Sequence, residues 1–264
     1  MKKNWKAMVA IAVVVIIVAV AVIIINMRPA DRTAQPDPSG DSSIVAGKFG
    51  FPVSKINIGE GGTKTAADGK TPIGYNGTCD SAAQAAANYT PVLLNVNPKT
   101  WETQKATLNS LAVPGPWVES ATYVGNVAAE AEAKGELPKT FDGGWIDQIN
   151  VNAGGMYRIA SCEPKNEAVV QVLFGGLGTG DALPQGFFGT QTMELTWEDD
   201  WKISDAVTGI NDSDLATRVK DKGPSGGVGG TPTGRMPTLD AALVERYFKD
   251  LSKEGWIEYA NAAR

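Results

Sequence analysis

Residues 190–204 read TQTMELTWEDDWKIS. Met193, Leu195 and Trp197 fall on one side of this stretch and Thr192, Glu194 and Thr196 on the other, the period-2 alternation of a half-buried strand. Glu198-Asp199-Asp200 supplies a hairpin-type turn, and Trp201-Lys202-Ile203-Ser204 begins the returning strand. Toward the N-terminus, Ala168–Phe174 is β-branched and reads as a buried strand, Met156–Ala160 is short and apolar, and Trp145–Val151 partly alternates. The second half of the chain thus reads as an antiparallel sheet of about four strands.

Before Pro138 the period is helical. Thr78 or Asp80 can cap a helix through Ser81–Tyr89, where Ala82, Ala85, Ala86, Tyr89 and Leu93 share a face that permits close packing. Pro91, which lacks an N–H and crowds the preceding turn, should kink or divide it. Pro98 opens a second helix to about Leu111, and Val113-Pro114-Gly115-Pro116 breaks it. A third runs from about Trp117 to Lys134, with a stop at Gly135. Three helices followed by strands is an α+β order, with the helices packed on one face of a curved antiparallel sheet.

Ala7–Ile25 is an unbroken apolar run of nineteen residues preceded by Lys2, Lys3 and Lys6. As a helix it reaches roughly 28 Å, close to the hydrocarbon thickness of a bilayer, so it reads as one transmembrane crossing. The lysines hold the tail, residues 1–6, in the cytoplasm and send everything after Asn26 outside. A cleaved signal is the competing reading, from Ala19-Val20-Ala21, but the mature chain would then start Val22-Ile23-Ile24-Ile25. Both readings export the rest.

Residues 26–70 read as a flexible stalk, because RPADRTAQPDPSGDSS (28–43) is polar and proline-rich. The apolar patch at Ile44–Ala46 and Phe49–Val53 reads as an extra strand or a segment lying on the domain. The exported domain spans 71–210, and a Gly/Pro-rich linker spans 211–237. An amphipathic helix is expected within 238–264, where Leu239, Leu243, Tyr247 and Leu251 recur every four residues, followed by Trp256 and Tyr259. Such a stripe packs on its own domain or meets a partner. Leu243, Tyr247, Leu251 and Trp256 are the candidate partner-binding residues.

The chain has no histidine, which removes Ser-His-Asp and Cys-His arrangements and His-ligated zinc. Three of the 24 basic residues lie in the tail, so 21 remain against 29 acidic ones, a net charge of −8 beyond residue 27. An acidic exported domain lacks the basic face a nucleic-acid binder needs. Cys79 and Cys162 sit in a compartment where disulfides persist; they are a candidate bond, or two separate thiols. Gly175 and Gly180 have the spacing of a phosphate loop, but Asp181 and Ala182 replace the Lys and Ser/Thr it requires, so the segment reads as a loop between strands. Glu198-Asp199-Asp200 could hold calcium, yet adjacent carboxylates in a tight turn normally point into water. Asn76, Asn88 and Asn211 match the glycosylation acceptor pattern. No catalytic, cofactor or metal residue is assigned, and no enzyme is expected.

Thr71-Pro72-Ile73-Gly74-Tyr75 followed by Ala82–Tyr89 resembles the start of exported domains in single-pass membrane proteins of actinobacteria and their integrative conjugative elements. Trp197-Glu198-Asp199-Asp200-Trp201-Lys202 is similar to a hairpin of nuclear transport factor 2-like (cystatin-like cone) domains, though such turns often carry Gly where Asp199 stands. The resemblance covers roughly residues 71–205 and implies the cone fold. It also implies a part like that of the VirB-type inner-membrane scaffold, which has no catalytic residues and works by binding neighbours. The expected function is accordingly a non-enzymatic, membrane-anchored scaffold of the cell envelope, self-associated or bound to other envelope proteins, in a conjugative or type IV secretion apparatus. The alternative is a lipid or small-molecule binding accessory protein using the cone pocket; a hydrolase with carboxylates in that pocket ranks third.

Overall fold

The computed structural model describes residues 45–136, 148–178, 185–208, 235–248 and 253–263. The expected tail, transmembrane run 7–25 and most of the linker 211–237 lie outside them. Among the described residues no helix is long and apolar enough to cross a membrane.

Four two-residue strands come first: β1 (Val45–Ala46), β2 (Pro52–Val53), β3 (Lys64–Thr65) and β4 (Pro72–Ile73). Helix α1 (Cys79–Leu94) follows, then a 3-10 turn (Pro98–Thr100) leading into α2 (Trp101–Leu111), and α3 (Pro116–Ala133). Next come β5 (Gln148–Asn150), a single turn α4 (Val151–Gly154), β6 (Met156–Glu163), β7 (Glu167–Gly178), β8 (Gln185–Trp197) and β9 (Trp201–Thr208). The chain ends with α5 (Ala241–Tyr247) and β10 (Trp256–Glu258). The fold is α+β, as expected.

The main sheet runs β1-β2-β10-β6-β7-β8-β9, with β5 also paired to β7, so it has eight strands rather than four. Every pairing in it is antiparallel except β10 with β2. Bulges at Ile159/Ser161 and Glu194/Leu195 bend β6 and β8–β9 and raise their local twist.

Helix α1 starts where Thr78 accepts a hydrogen bond from the Ser81 N–H at 3.2 Å. It does not divide at Pro91: the Thr90 hydroxyl donates to the Ala86 carbonyl (2.8 Å) and the Asn95 N–H to the Pro91 carbonyl (3.0 Å), so bonding continues on either side of the missing donor. Ala82, Ala83, Ala85, Ala86 and Ala87 are all fully buried, and their small side chains let α1 lie close on β6, β7 and β8. Close approach recurs between α2 and α3, where Gly125 faces the Trp101 ring so tightly that a Cβ would sit 2.2 Å from it.

Both faces of the sheet are covered. Ala168, Val170, Val172 and Phe174 of β7, with Met193, Leu195, Trp201 and Ile203, pack under the helices. On the other face Leu173, Met156, Phe188, Phe51 and Trp256 are covered by Leu239, Val244 and Phe248. A strand buried on both faces loses its alternation, which is why β7 reads as a continuous apolar run.

Three expectations change. Of the 26–70 stalk, residues 45–70 belong to the folded domain: β1 and β2 extend the main sheet, β3 pairs with β4, and Phe51, Ile56 and Ala66 are buried. The single C-terminal helix is instead a seven-residue helix and a strand, since Gly255 takes φ 78° and Trp256–Glu258 inserts between β2 and β6. Gly175–Gly178 is strand, not loop. Glycines and aromatics face each other across β7 and β8: the Phe187 ring lies over Gly176 and the Phe174 ring over Gly189, filling the space a Cβ would take.

Candidate functional site

The place to look for a ligand is the space between the helices and the sheet. It is occupied by side chains. Tyr75, Tyr89, Tyr157, Tyr259 and Trp201 are all buried there, with their polar tips hydrogen-bonded. The Tyr89 hydroxyl donates to the Trp201 carbonyl (3.0 Å), the Tyr259 hydroxyl to the Ala83 carbonyl (3.0 Å), and the Trp201 indole N–H to the Ser81 hydroxyl (2.9 Å). Asn88 donates to the Tyr75 hydroxyl (2.7 Å) and the Glu60 carbonyl (3.1 Å) and accepts from the Gly59 N–H (2.8 Å), tying residues 59–60 to α1. These bonds satisfy groups whose burial would otherwise cost more than it returns.

The tyrosines are held in their neutral form. Burial pushes Tyr157 up to about 12, opposed by the Ser54 hydroxyl, with the Asp80 charge adding to the rise. Burial raises Tyr75 and Tyr89 further, helped in both by the Asp200 charge, and Tyr259, wholly enclosed, lies well above the ordinary value. Neutral and hydrogen-bonded, they fill and fasten the interior.

Asp200 departs from the expectation that the 198–200 acids face water. It is buried, and its carboxylate accepts from three backbone N–H groups, those of Gly74 (2.7 Å), Tyr75 (2.9 Å) and Trp201 (2.9 Å). Asp199, exposed, takes φ 58°, a left-handed backbone that glycine adopts more readily, and this sharp turn sends the next side chain inward. Asp200 therefore clamps the β8–β9 hairpin to the segment before α1. Among the described residues no group of three His, Cys, Asp or Glu side chains could hold a metal ion.

Cys79 and Cys162 are bonded, with Cα atoms 5.9 Å apart, joining the first turn of α1 to the end of β6. Of the candidate partner-binding residues, Trp256 is fully buried and Leu243 is partly buried against the second core, while the side chains of Tyr247 and Leu251 lie outside the described residues. The glycosylation pattern at Asn88 is inside the core; Asn76 is exposed and accepts from the Thr78 hydroxyl, and Asn211 lies outside the described residues.

On the surface, the free edge of β9 is plugged by the α2–α3 connection. The Val113 N–H and the Trp117 indole N–H donate to the Ile203 (2.9 Å) and Ala206 (3.3 Å) carbonyls, and the Lys202 ammonium to the Ser110 carbonyl (2.6 Å). Tyr123 on α3 is 63% exposed, the large hydrophobic side chain most open to solvent among the described residues. A cavity of about 10 Å³ near Phe49, Met156, Leu239 and Glu258 has room for about one water.

The fold and its interior define a disulfide-tied α+β domain packed on both faces of its sheet. No family model, curated protein or solved structure matches the chain.

Proposed function

We propose that this chain is a non-enzymatic, membrane-anchored assembly protein of the cell envelope, anchored by residues 7–25. Its exported domain is a cone of the nuclear transport factor 2-like type that binds neighbouring proteins of a conjugative or type IV secretion apparatus. The observation that carries the reading is the filled interior: five buried aromatic side chains stand where a cone domain would hold a ligand, which leaves recognition to the outer surface. A carrier of lipid or another small molecule would need a cleft of roughly 300–1,000 Å³. The helices over the β6–β9 meander support the cone assignment, and the Cys79–Cys162 bond supports an oxidising compartment.

The test is affinity purification of the full chain from crosslinked native membranes, read by mass spectrometry. Envelope or secretion subunits, or copies of the chain itself, are the expected companions. A strictly monomeric chain recovered alone, or one carrying apolar small molecules, overturns the reading.

A further inference from the structure

We propose that the β1–β2 edge of the sheet docks on an anionic phospholipid surface, an inference that builds on the anchored reading above. Lys48, Lys55 and Lys253 are exposed along this edge. The Lys48 ammonium sits 5.3 Å from the centroid of the half-buried Phe49 ring, and that of Lys253 5.8 Å from the ring of Phe51, which is buried in the second core, so both charges are held at this edge over aromatic faces. Within 45–55 and 253–258 the acids are Glu254, which is exposed, and Glu258, which is buried. Nearby on the opposite face of the sheet from the helices, Asp240 and Glu245 are matched in the sequence by Arg235 and Arg246, so α5 and its approach add no net charge.

The far edge has the opposite sign. Strands β8 and β9 and their turn carry Glu194, Glu198, Asp199 and Asp205 against Lys202, besides the clamped Asp200. Six strand spacings separate β1 from β9, about 29 Å, which is several Debye lengths at physiological salt. The tether acts in the same direction. Nineteen residues, 26–44, join the apolar run to Val45, the first residue of the edge strand itself. Attraction of the lysine edge to anionic headgroups and repulsion of the acidic edge therefore turn the domain the same way, and the tether delivers that edge to the surface. Phe49, half-buried at the tip of the β1–β2 hairpin, adds an aromatic at headgroup depth.

The experiment uses the full chain in nanodiscs of phosphatidylglycerol or phosphatidylcholine containing a headgroup nitroxide lipid. One fluorophore is placed through Ala46→Cys on the lysine edge and another through Glu198→Cys on the acidic edge; the native cysteines are bonded and do not label. In phosphatidylglycerol the first probe is expected to be quenched several-fold more than the second. That difference should collapse in phosphatidylcholine, at about 0.5 M salt, and in the K48E/K55E/K253E variant, whose circular dichroism should match the parent. Equal quenching of the two probes on chain retained in anionic discs overturns the orientation while leaving the anchor standing. Chain recovered without discs overturns the anchor, and the inference with it.

Discussion

A single carboxylate shows how much one side chain can hold. Asp200 accepts three backbone N–H bonds, and removing it strands buried donors in a hairpin that closes the interior. Asp200→Ala should lower stability by about 3 kcal/mol, and Asp200→Asn, whose single amide oxygen can still accept from Tyr75 and Trp201 while its NH2 faces the Gly74 N–H, by about 1 kcal/mol less, measured as urea midpoints at unchanged slope. Equal midpoints for the parent and Asp200→Ala would remove the clamp. Gly125→Ala is the steric counterpart. A methyl group 2.2 Å from the Trp101 ring forces the α2–α3 contact apart, costing about 1–3 kcal/mol despite a helix-propensity gain of up to about 1 kcal/mol; a more stable variant refutes that contact. The buried tyrosines set the alkaline limit. Their folded values lie above the unfolded value of about 10, so the unfolded chain loses protons first; stability is intact below pH ~10 and falls as pH rises toward the folded values. Tyrosinate absorbance from Tyr75, Tyr89, Tyr157 and Tyr259 should therefore rise together with loss of near-ultraviolet circular dichroism, and a reversible rise in the folded protein contradicts the packing. Asp199 and Asp200 were legible as a turn, but not which acid faced inward, because that depends on where the Gly74 and Tyr75 amides end up.

At the scale of elements, the three helices and the β6–β9 meander were readable because each carries its own period and punctuation: Thr78 as cap, Pro98 opening the turn that leads into α2, the Val113–Pro116 break before α3, alternation around Met193. The C-terminal segment was not. Leu243 does belong to a helix, but Leu239 lies before its Asp240 cap and the helix ends at Tyr247, and Gly255 with a left-handed backbone starts a strand in which Trp256 and Glu258 are buried and Ile257 lies between them. A three-residue strand has too little alternation to be recognised; it exists because β2 and β6 leave a gap of one strand between them. The Cys79–Cys162 bond joins two elements whose apposition likewise depends on the fold. It closes a loop of 83 residues, so Cys162→Ser, or reduction, should cost about 4 kcal/mol by the chain-entropy model, read as a shift of the urea midpoint. A shift worth less than about 1 kcal/mol means the unfolded chain is already restricted there.

For the whole molecule, the C-terminal residues are part of the domain and not an appendage. A chain ending at Lys222 loses β10 from inside the sheet and uncovers Phe51, Met156, Leu173 and Phe188. It should unfold without a cooperative transition or aggregate, and two-state unfolding at the parent midpoint would show that the covering is dispensable. Partner mapping therefore calls for the full chain with surface substitutions. The sequence by itself determined what depends on local pattern: the apolar run 7–25, the α+β order, the alanine face of α1, and the exclusion of histidine chemistry. These are properties of neighbouring residues and of composition, and they survive in any context. The tertiary structure alone decided that residues 45–53 and 256–258 complete one sheet, that both faces of that sheet are covered, and that the interior is closed by tyrosines and a clamped aspartate. Each of those depends on segments about 100 to 200 residues apart finding complementary edges and partners, as Val53 does with Glu258, a pairing no local period encodes.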